Sequence, residues 1–424
     1  MSTFQLIGAF ITLIAVFGHI NQRFIKLPDT LGITAIGVFA SVLLALFGRQ
    51  VPEVTRWATH LAESLDFAEL VFHGMLGLLL FAGSLAVDFS QLRKYKAPIF
   101  VLATLGVLVS TLVIGGGSWL LFGALGHPVP YLYCMLLGAL ISPTDPIVVM
   151  GVLKKSGLPE KLRAKIVGES LFNDGTAVVA FIVVLGLATG TTTPSIPEVA
   201  LLLAQEMVGG VLFGLACGFT AVFLLKGINS YPVEILITLA LPTGGYALAE
   251  AIHVSAPLAV VVMGLVIGNH GAKYVMSATT REHLFSFWQL TDEVLTLALF
   301  GLIGMHMLTL DLTWELVLVG AAIVPLALAA RAASVAGPLA LVGLAERAPH
   351  TITVLTWGGL RGGISIALAL SIPDSEFKPL LLVATYIIVL FSLLVQAPTL
   401  PWVLRRSRLS HNLAEAEGTS TGQP

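Results

Sequence analysis

The chain has 424 residues, of which 56% are hydrophobic and 11% charged, with a formal net charge of −2 and a mean hydropathy of +0.94. A soluble domain carries roughly 25% charged residues, so the composition excludes an ordinary water-soluble fold and places the chain in lipid. The near-neutral charge makes no case for a nucleic-acid partner, and the two cysteines, Cys134 and Cys217, lie inside apolar stretches that suggest neither a disulfide nor a metal site.

A hydrocarbon core of about 30 Å needs roughly 20 apolar residues per helix. Thirteen such segments follow one another, at 4–22, 31–48, 67–87, 98–122, 129–153, 163–188, 196–224, 231–251, 255–270, 287–308, 313–343, 349–371 and 378–404. They are apolar all round, whereas barrel strands would alternate in runs of about ten residues. The expected fold class is therefore an all-α polytopic membrane protein with about 13 transmembrane helices. The first segment lacks a basic leader and a small-residue cleavage site, which predicts a mature helix rather than a signal peptide. After residue 404 the chain turns polar, and 405–424 reads as a disordered tail.

The basic residues orient these segments. Of the 22 Lys and Arg, only Arg49, Arg56 and Lys378 lie in even-numbered connections, and Arg331 and Arg361 lie within segments; the others cluster in odd-numbered connections and at the C-terminus. The positive-inside rule then predicts a cytoplasmic C-terminus and an N-terminus outside.

Thirteen segments divide into two six-helix halves joined by segment 7, which would make the halves inverted repeats. In such folds the substrate site is sought where discontinuous helices hold corresponding places. Segment 5 contains Ser142-Pro143-Thr144-Asp145-Pro146. Segment 12, the fifth of the second half, contains Gly358-Gly359-Leu360-Arg361-Gly362-Gly363. Both are predicted to break there, and each break carries one charge.

A charge at mid-bilayer costs at least about 2.5 kcal/mol, so the few present are candidates for function: Asp145, Glu169, Asp174, Arg331 and Arg361. Pro146 pushes Asp145 away from helical geometry and frees backbone carbonyls near Ser142 and Thr144, which are oxygen ligands of the kind a hard cation takes. In segment 6, Gly168-Glu169-Ser170-Leu171-Phe172-Asn173-Asp174-Gly175, residues four apart share a face. Ser170 and Asp174 form one polar stripe, expected to face segment 5, and Glu169 and Asn173 form the next. Glu169 then needs a cation, and Arg361 is the expected partner. Arg331 reads equally as a functional group or as a side chain reaching the interface. Three carboxylates against two guanidinium groups leave one excess negative charge, which one Na⁺ or one H⁺ would neutralise. A site that holds either ion in turn is the physical basis of one-for-one exchange.

These three motifs, in this order on segments 5, 6 and 12, resemble those of the monovalent cation/proton antiporter family, in particular its bacterial NhaP-type branch related to the sodium/proton exchangers. The resemblance covers essentially the whole membrane region. It implies a transporter, not an enzyme, with no cofactor, exchanging Na⁺ and also Li⁺ for H⁺ across the bacterial inner membrane. It implies a homodimer in which helices 1–3 and 7–10 (within 1–87 and 196–308) form a scaffold and helices 4–6 and 11–13 (within 98–188 and 313–404) form a core moving as an elevator. Its ion site falls on Asp145, Asp174, Ser170 and the Thr144 backbone, and its stabilising pair on Glu169 and Arg361. Asn173 before Asp174 is similar to the electroneutral branch.

Two other readings compete. K⁺ in place of Na⁺ would use the same oxygen ligands, and an organic-solute symporter would share the fold, although carboxylates at the breaks favour a small cation.

Overall fold

A computed structural model of the chain describes residues 2–145, 149, 160–190, 196–310, 312–341 and 349–406. Pro146, Lys154, Lys155, Arg347, Arg408 and the tail beyond Arg406 lie outside the described residues, as does most of the second half of segment 5.

Among the described residues, eleven helices are long and apolar enough to cross a membrane. They are α1 (Phe4–Ile25), α2 (Asp29–Phe47), α3 (Phe67–Leu85), α4 (Lys96–Ala124), α6 (Lys161–Ala188), α7 (Ala204–Leu225), α8 (Tyr231–Ala251), α9 (Ala256–Tyr274), α10 (Ala278–Thr309), α11 (Trp314–Leu341) and α13 (Lys378–Arg406). The remaining two segments are the ones whose composition predicted a break. In α5 a helix over Tyr131–Ile141 gives way to non-helical backbone at 143–145, and α12 consists of two arms, Pro349–Trp357 and Gly363–Leu370, separated by an unwound stretch. Continuous helices suit hydrocarbon because they satisfy their own backbone groups, and non-helical backbone at that depth must find partners in the protein.

Two elements depart from the sequence expectation. α10 begins nine residues before the expected 287, because its first turns, with Arg281, Glu282 and His283, are too polar for a hydropathy window. A short amphipathic helix over Pro52–Ser64, with Ala58, Leu61 and Ala62 buried, occupies the connection between α2 and α3.

The chain forms two compact units. One comprises Met1–Phe89, Pro194–Thr313 and Ile366–Leu382, and the other comprises Ser90–Thr193, Trp314–Ser365 and Val383–Pro424. In the first unit α9 is the central element, with every residue from Ala256 to Val266 buried. α2 and α10 meet through Gly37 and Gly304, where a methyl group on either would stand within 3.0 Å of the other's Cα. Small residues let helix backbones approach where lipid supplies no hydrophobic drive for association. The second unit contains α4, α5, α6, α11, the first arm of α12 and most of α13, and it carries all five mid-segment charges.

Candidate functional site

The first arm of α5 ends where Pro143 removes a backbone donor. Ser142 turns its hydroxyl back to the Gly138 carbonyl at 2.7 Å and stands 3.1 Å from Thr111 Oγ1 of α4, which anchors the end of the arm. The carbonyls of Ser142 and Pro143, which would have no helical partner at the break, both accept from Arg361 Nη1, at 2.6 and 2.9 Å. The Asp145 N–H donates to the Leu360 carbonyl at 2.8 Å. The two unwound stretches are therefore tied together.

The break in α12 is held from its other side by α13. The Arg361 N–H donates to Ser392 Oγ at 2.9 Å, and the Ser392 hydroxyl donates to Gln396 Oε1 at 3.1 Å. Gln396 Nε2 donates to the Trp357 carbonyl at 2.8 Å, so the end of the first arm of α12 is capped by a side chain. These partners replace the intrahelical bonds that the glycine run gives up.

α6 supplies the opposite wall of the site. Thr144 Oγ1 lies 2.8 Å from Ser170 Oγ and accepts from Asn173 Nδ2 at 2.8 Å, while the Thr144 N–H reaches Asn173 Oδ1 at 3.4 Å. Ser170 thus faces α5 as its spacing predicted. Asn173 does so too, although the four-residue rule grouped it with Glu169. Asp174 is 4% exposed, has no side-chain hydrogen bond or ion pair among the described residues, and lies within electrostatic reach of Asp145, which is half-buried.

Glu169 corrects one expectation. Its partner is Arg331 of α11: Nη1 makes a short contact with Oε1, and Nη2 donates to Oε2 at 3.0 Å. Arg331 Nη2 and Nε also reach the Leu355 carbonyl, at 3.1 and 3.3 Å. Arg361 takes no hydrogen bond with Glu169 because its guanidinium is engaged with the two carbonyls of α5. Arg331 does not reach for the interface either; it is 5% exposed and its fork is matched to a carboxylate.

Sequence reasoning missed five contributors. Ser392 and Gln396 are ordinary polar residues in α13, with no pattern to mark them. Gly359 and Gly362 were grouped as helix breakers, yet each meets a charged side chain. A methyl group on Gly359 would run into the Arg331 guanidinium, and one on Gly362 into the Asp145 carboxylate. Lys165, counted with the cytoplasmic basic residues, is buried, with Nζ 5.8 Å from the centre of the Tyr95 ring.

No group of three or more His, Cys, Asp or Glu side chains is placed to hold a metal ion among the described residues. A cation at Asp145 and Asp174 would draw its other ligands from hydroxyl and carbonyl oxygens, such as those of Ser170 and Thr144. Such a mixed oxygen set fits a monovalent alkali ion better than a transition metal.

Residues 9–406 match the family described as sodium/hydrogen exchanger, transmembrane. The chain is 45% identical over 421 residues to the Na⁺/H⁺ antiporter NhaP of Pseudomonas aeruginosa, covering 98% of this chain and 99% of that protein. It is 32% identical over 420 residues to the Na⁺/H⁺ antiporter NhaH of Halobacillus aidingensis, covering 96% and 97%. Among solved structures, the sodium proton antiporter MjNhaP1 of Methanocaldococcus jannaschii at pH 8 superimposes with a TM-score of 0.72 at 19% identity, over 95% of this chain and 98% of that one.

Proposed function

The chain belongs to the sodium/hydrogen exchanger family, and we propose that it is a secondary antiporter exchanging Na⁺, and with it Li⁺, for H⁺ one for one, with Asp145 and Asp174 holding whichever ion is in transit. It is a transporter and not an enzyme.

The observation that carries this reading is the distribution of partners among the five mid-segment charges, Asp145, Glu169, Asp174, Arg331 and Arg361. Glu169 and Arg331 neutralise each other. Arg361 is committed to the carbonyl ends of α5, where the negative pole of a helix favours a cation. Three carboxylates stand against two guanidiniums, so a single excess negative charge falls on Asp145 and Asp174. Desolvation makes that charge unfavourable without a counterion, and either Na⁺ or H⁺ supplies one. Each ion displaces the other, and a full cycle moves no net charge.

The site, its ion pair and both breaks belong to one compact unit, which supports that unit as the transport core of an elevator and the other, with α1–α3 and α7–α10, as the scaffold. The distribution of Lys and Arg supports a cytoplasmic C-terminus and an N-terminus outside the inner membrane, and the family resemblance supports a homodimer.

The test is a pH-gradient dequenching assay in proteoliposomes with Na⁺, Li⁺ or K⁺ added in turn. Dequenching by Na⁺ or Li⁺ that is lost in Asp174→Asn is the expected result. A response to K⁺ alone would reassign the substrate, and no response to any of the three would refute the exchange reading.

A further inference from the structure

We infer that Gly362 is a positioning residue for the transported ion: its bare Cα forms the wall against which the Asp145 carboxylate rests, and the absence of a side chain there sets where that carboxylate meets the cation. The inference rests on the exchange reading above.

A methyl group built on Gly362 would collide with Asp145 Oδ2 and stand 2.8 Å from Asp145 Cβ and 2.9 Å from Cγ. Non-bonded carbons rest at about 3.5–4.0 Å, so one of the two residues would have to retreat by nearly an ångström. The backbone at 362 is poorly placed to do so. On its N-terminal side the Leu360 carbonyl is bound by the Asp145 N–H at 2.8 Å, the Arg361 N–H is bound by Ser392 Oγ at 2.9 Å, and the Arg361 guanidinium holds the Ser142 and Pro143 carbonyls. On its C-terminal side the second arm of α12 begins at once, at Gly363. The Asp145 main chain is fixed by the same crossover, which leaves the carboxylate as the group that must move.

Backbone conformation does not explain the glycine. Among the described residues the glycines with positive φ are Gly126, Gly190 and Gly227, so Gly362 is not held in the left-handed region that favours glycine. What the position requires is room, and the group that uses the room is an ion-binding carboxylate. Gly359, three residues earlier, makes the equivalent close approach to Arg331. The glycine run therefore separates two tasks, with Gly359 admitting the structural pair and Gly362 shaping the site.

The experiment is Na⁺-dependent exchange by purified Gly362→Ala in proteoliposomes, with the KM for Na⁺ and the maximal rate measured separately beside wild type. Because a misplacement of about 1 Å in a positioned group can cost up to about a hundredfold, the KM for Na⁺ is expected to rise by up to about that factor, with the maximal rate largely kept. A merely structural defect would lower yield and maximal rate together and leave KM in place. Gly359→Ala, whose methyl meets Arg331 instead, is expected to lower the melting temperature without moving the KM of the folded protein. A folded Gly362→Ala with wild-type KM overturns the inference and leaves the exchange reading intact, whereas a wild-type protein inert to all three cations removes both. If Gly362→Ala does not fold, the same substitution is made in an Asp145→Gly background. Recovery of a folded protein there supports the contact, and continued failure to fold shows that Gly362 serves some neighbour other than Asp145.

Discussion

Arg331 of α11 grips both carboxylate oxygens of Glu169 of α6, with Nη2 3.0 Å from Oε2, and anchors itself by donating to the Leu355 carbonyl. On the proposed exchange reading, this pair removes one carboxylate from the contest for the transported ion. Both side chains are at least nine-tenths buried, so removing either strands the other's charge.

Arg331→Ala is accordingly expected to destabilise the protein by about 3–5 kcal/mol, read as a fall in melting temperature in detergent and in yield. Arg331→Lys should recover little, since an ammonium cannot reproduce the two-point fork. A melting temperature for Arg331→Ala equal to wild type would show that the pair contributes nothing to stability.

Asp174→Asn is expected to behave in the opposite way. The side chain makes no hydrogen bond among the described residues, and its electrostatic neighbour is Asp145, a like charge. Replacing it with a neutral isostere removes that repulsion, so the variant should melt at or above the wild-type temperature while exchange is abolished. Retained exchange would take Asp174 out of the mechanism.

How much of this site could be read in advance depends on the kind of constraint involved. The two broken helices were legible because Pro143, Pro146 and a run of glycines contradict helix chemistry inside segments otherwise long enough to span the bilayer. Asp145, Glu169, Asp174 and Arg361 were legible because hydrocarbon makes each charge conspicuous. The partner of Glu169 was not. Arg331 and Arg361 lie 162 and 192 positions away in the chain, and which of them arrives depends on how α11 and α12 rotate about their axes, which no local periodicity encodes. Asn173 escaped for a related reason: a four-residue rule sorts side chains into stripes, but α5 is unwound at Thr144, and its displaced backbone can meet two neighbouring stripes of α6 at once. Ser392 and Gln396 carried no signal at all, since a lone polar residue in a membrane helix looks the same whether it caps a break or bonds its own helix.

Thr144 is the point where α5 and α6 lock, accepting from Asn173 Nδ2 and lying 2.8 Å from Ser170 Oγ. Thr144→Val keeps the shape and deletes the hydroxyl, leaving two buried polar groups short of a partner. About 1–3 kcal/mol of destabilisation is expected, together with a raised KM for Na⁺ because Ser170 loses its orientation. Thr144→Ser should restore both. Equal behaviour of the Val and Ser variants would show that the hydroxyl has no role.

The proposed sharing of one site by two ions also fixes how pH must act on binding. If Na⁺ and H⁺ exclude each other at Asp145 and Asp174, the apparent Kd for Na⁺ equals its intrinsic value multiplied by one plus the ratio of the proton concentration to the site's proton dissociation constant. Acidification therefore weakens Na⁺ binding, by tenfold per pH unit once the protonated form predominates, and the effect vanishes at pH values where that form is scarce. The same linkage requires Na⁺ binding to expel protons, and reciprocity makes the two effects equal in free energy. The decisive quantity is the number expelled. With Glu169 held by Arg331 and Asn173 unable to ionise, the groups left to release protons are Asp145 and Asp174, and the single excess negative charge they carry in the proposed site sets the expected number at one per Na⁺ bound. Calorimetric titration of the detergent-solubilised protein with Na⁺, repeated in buffers of different ionisation enthalpy, measures that number directly. A value approaching one in the acidic range is expected. A value approaching two would mean that both aspartates are protonated before the ion arrives, which would make the cycle electrogenic. A value of zero at every pH would mean that proton and cation never share the site.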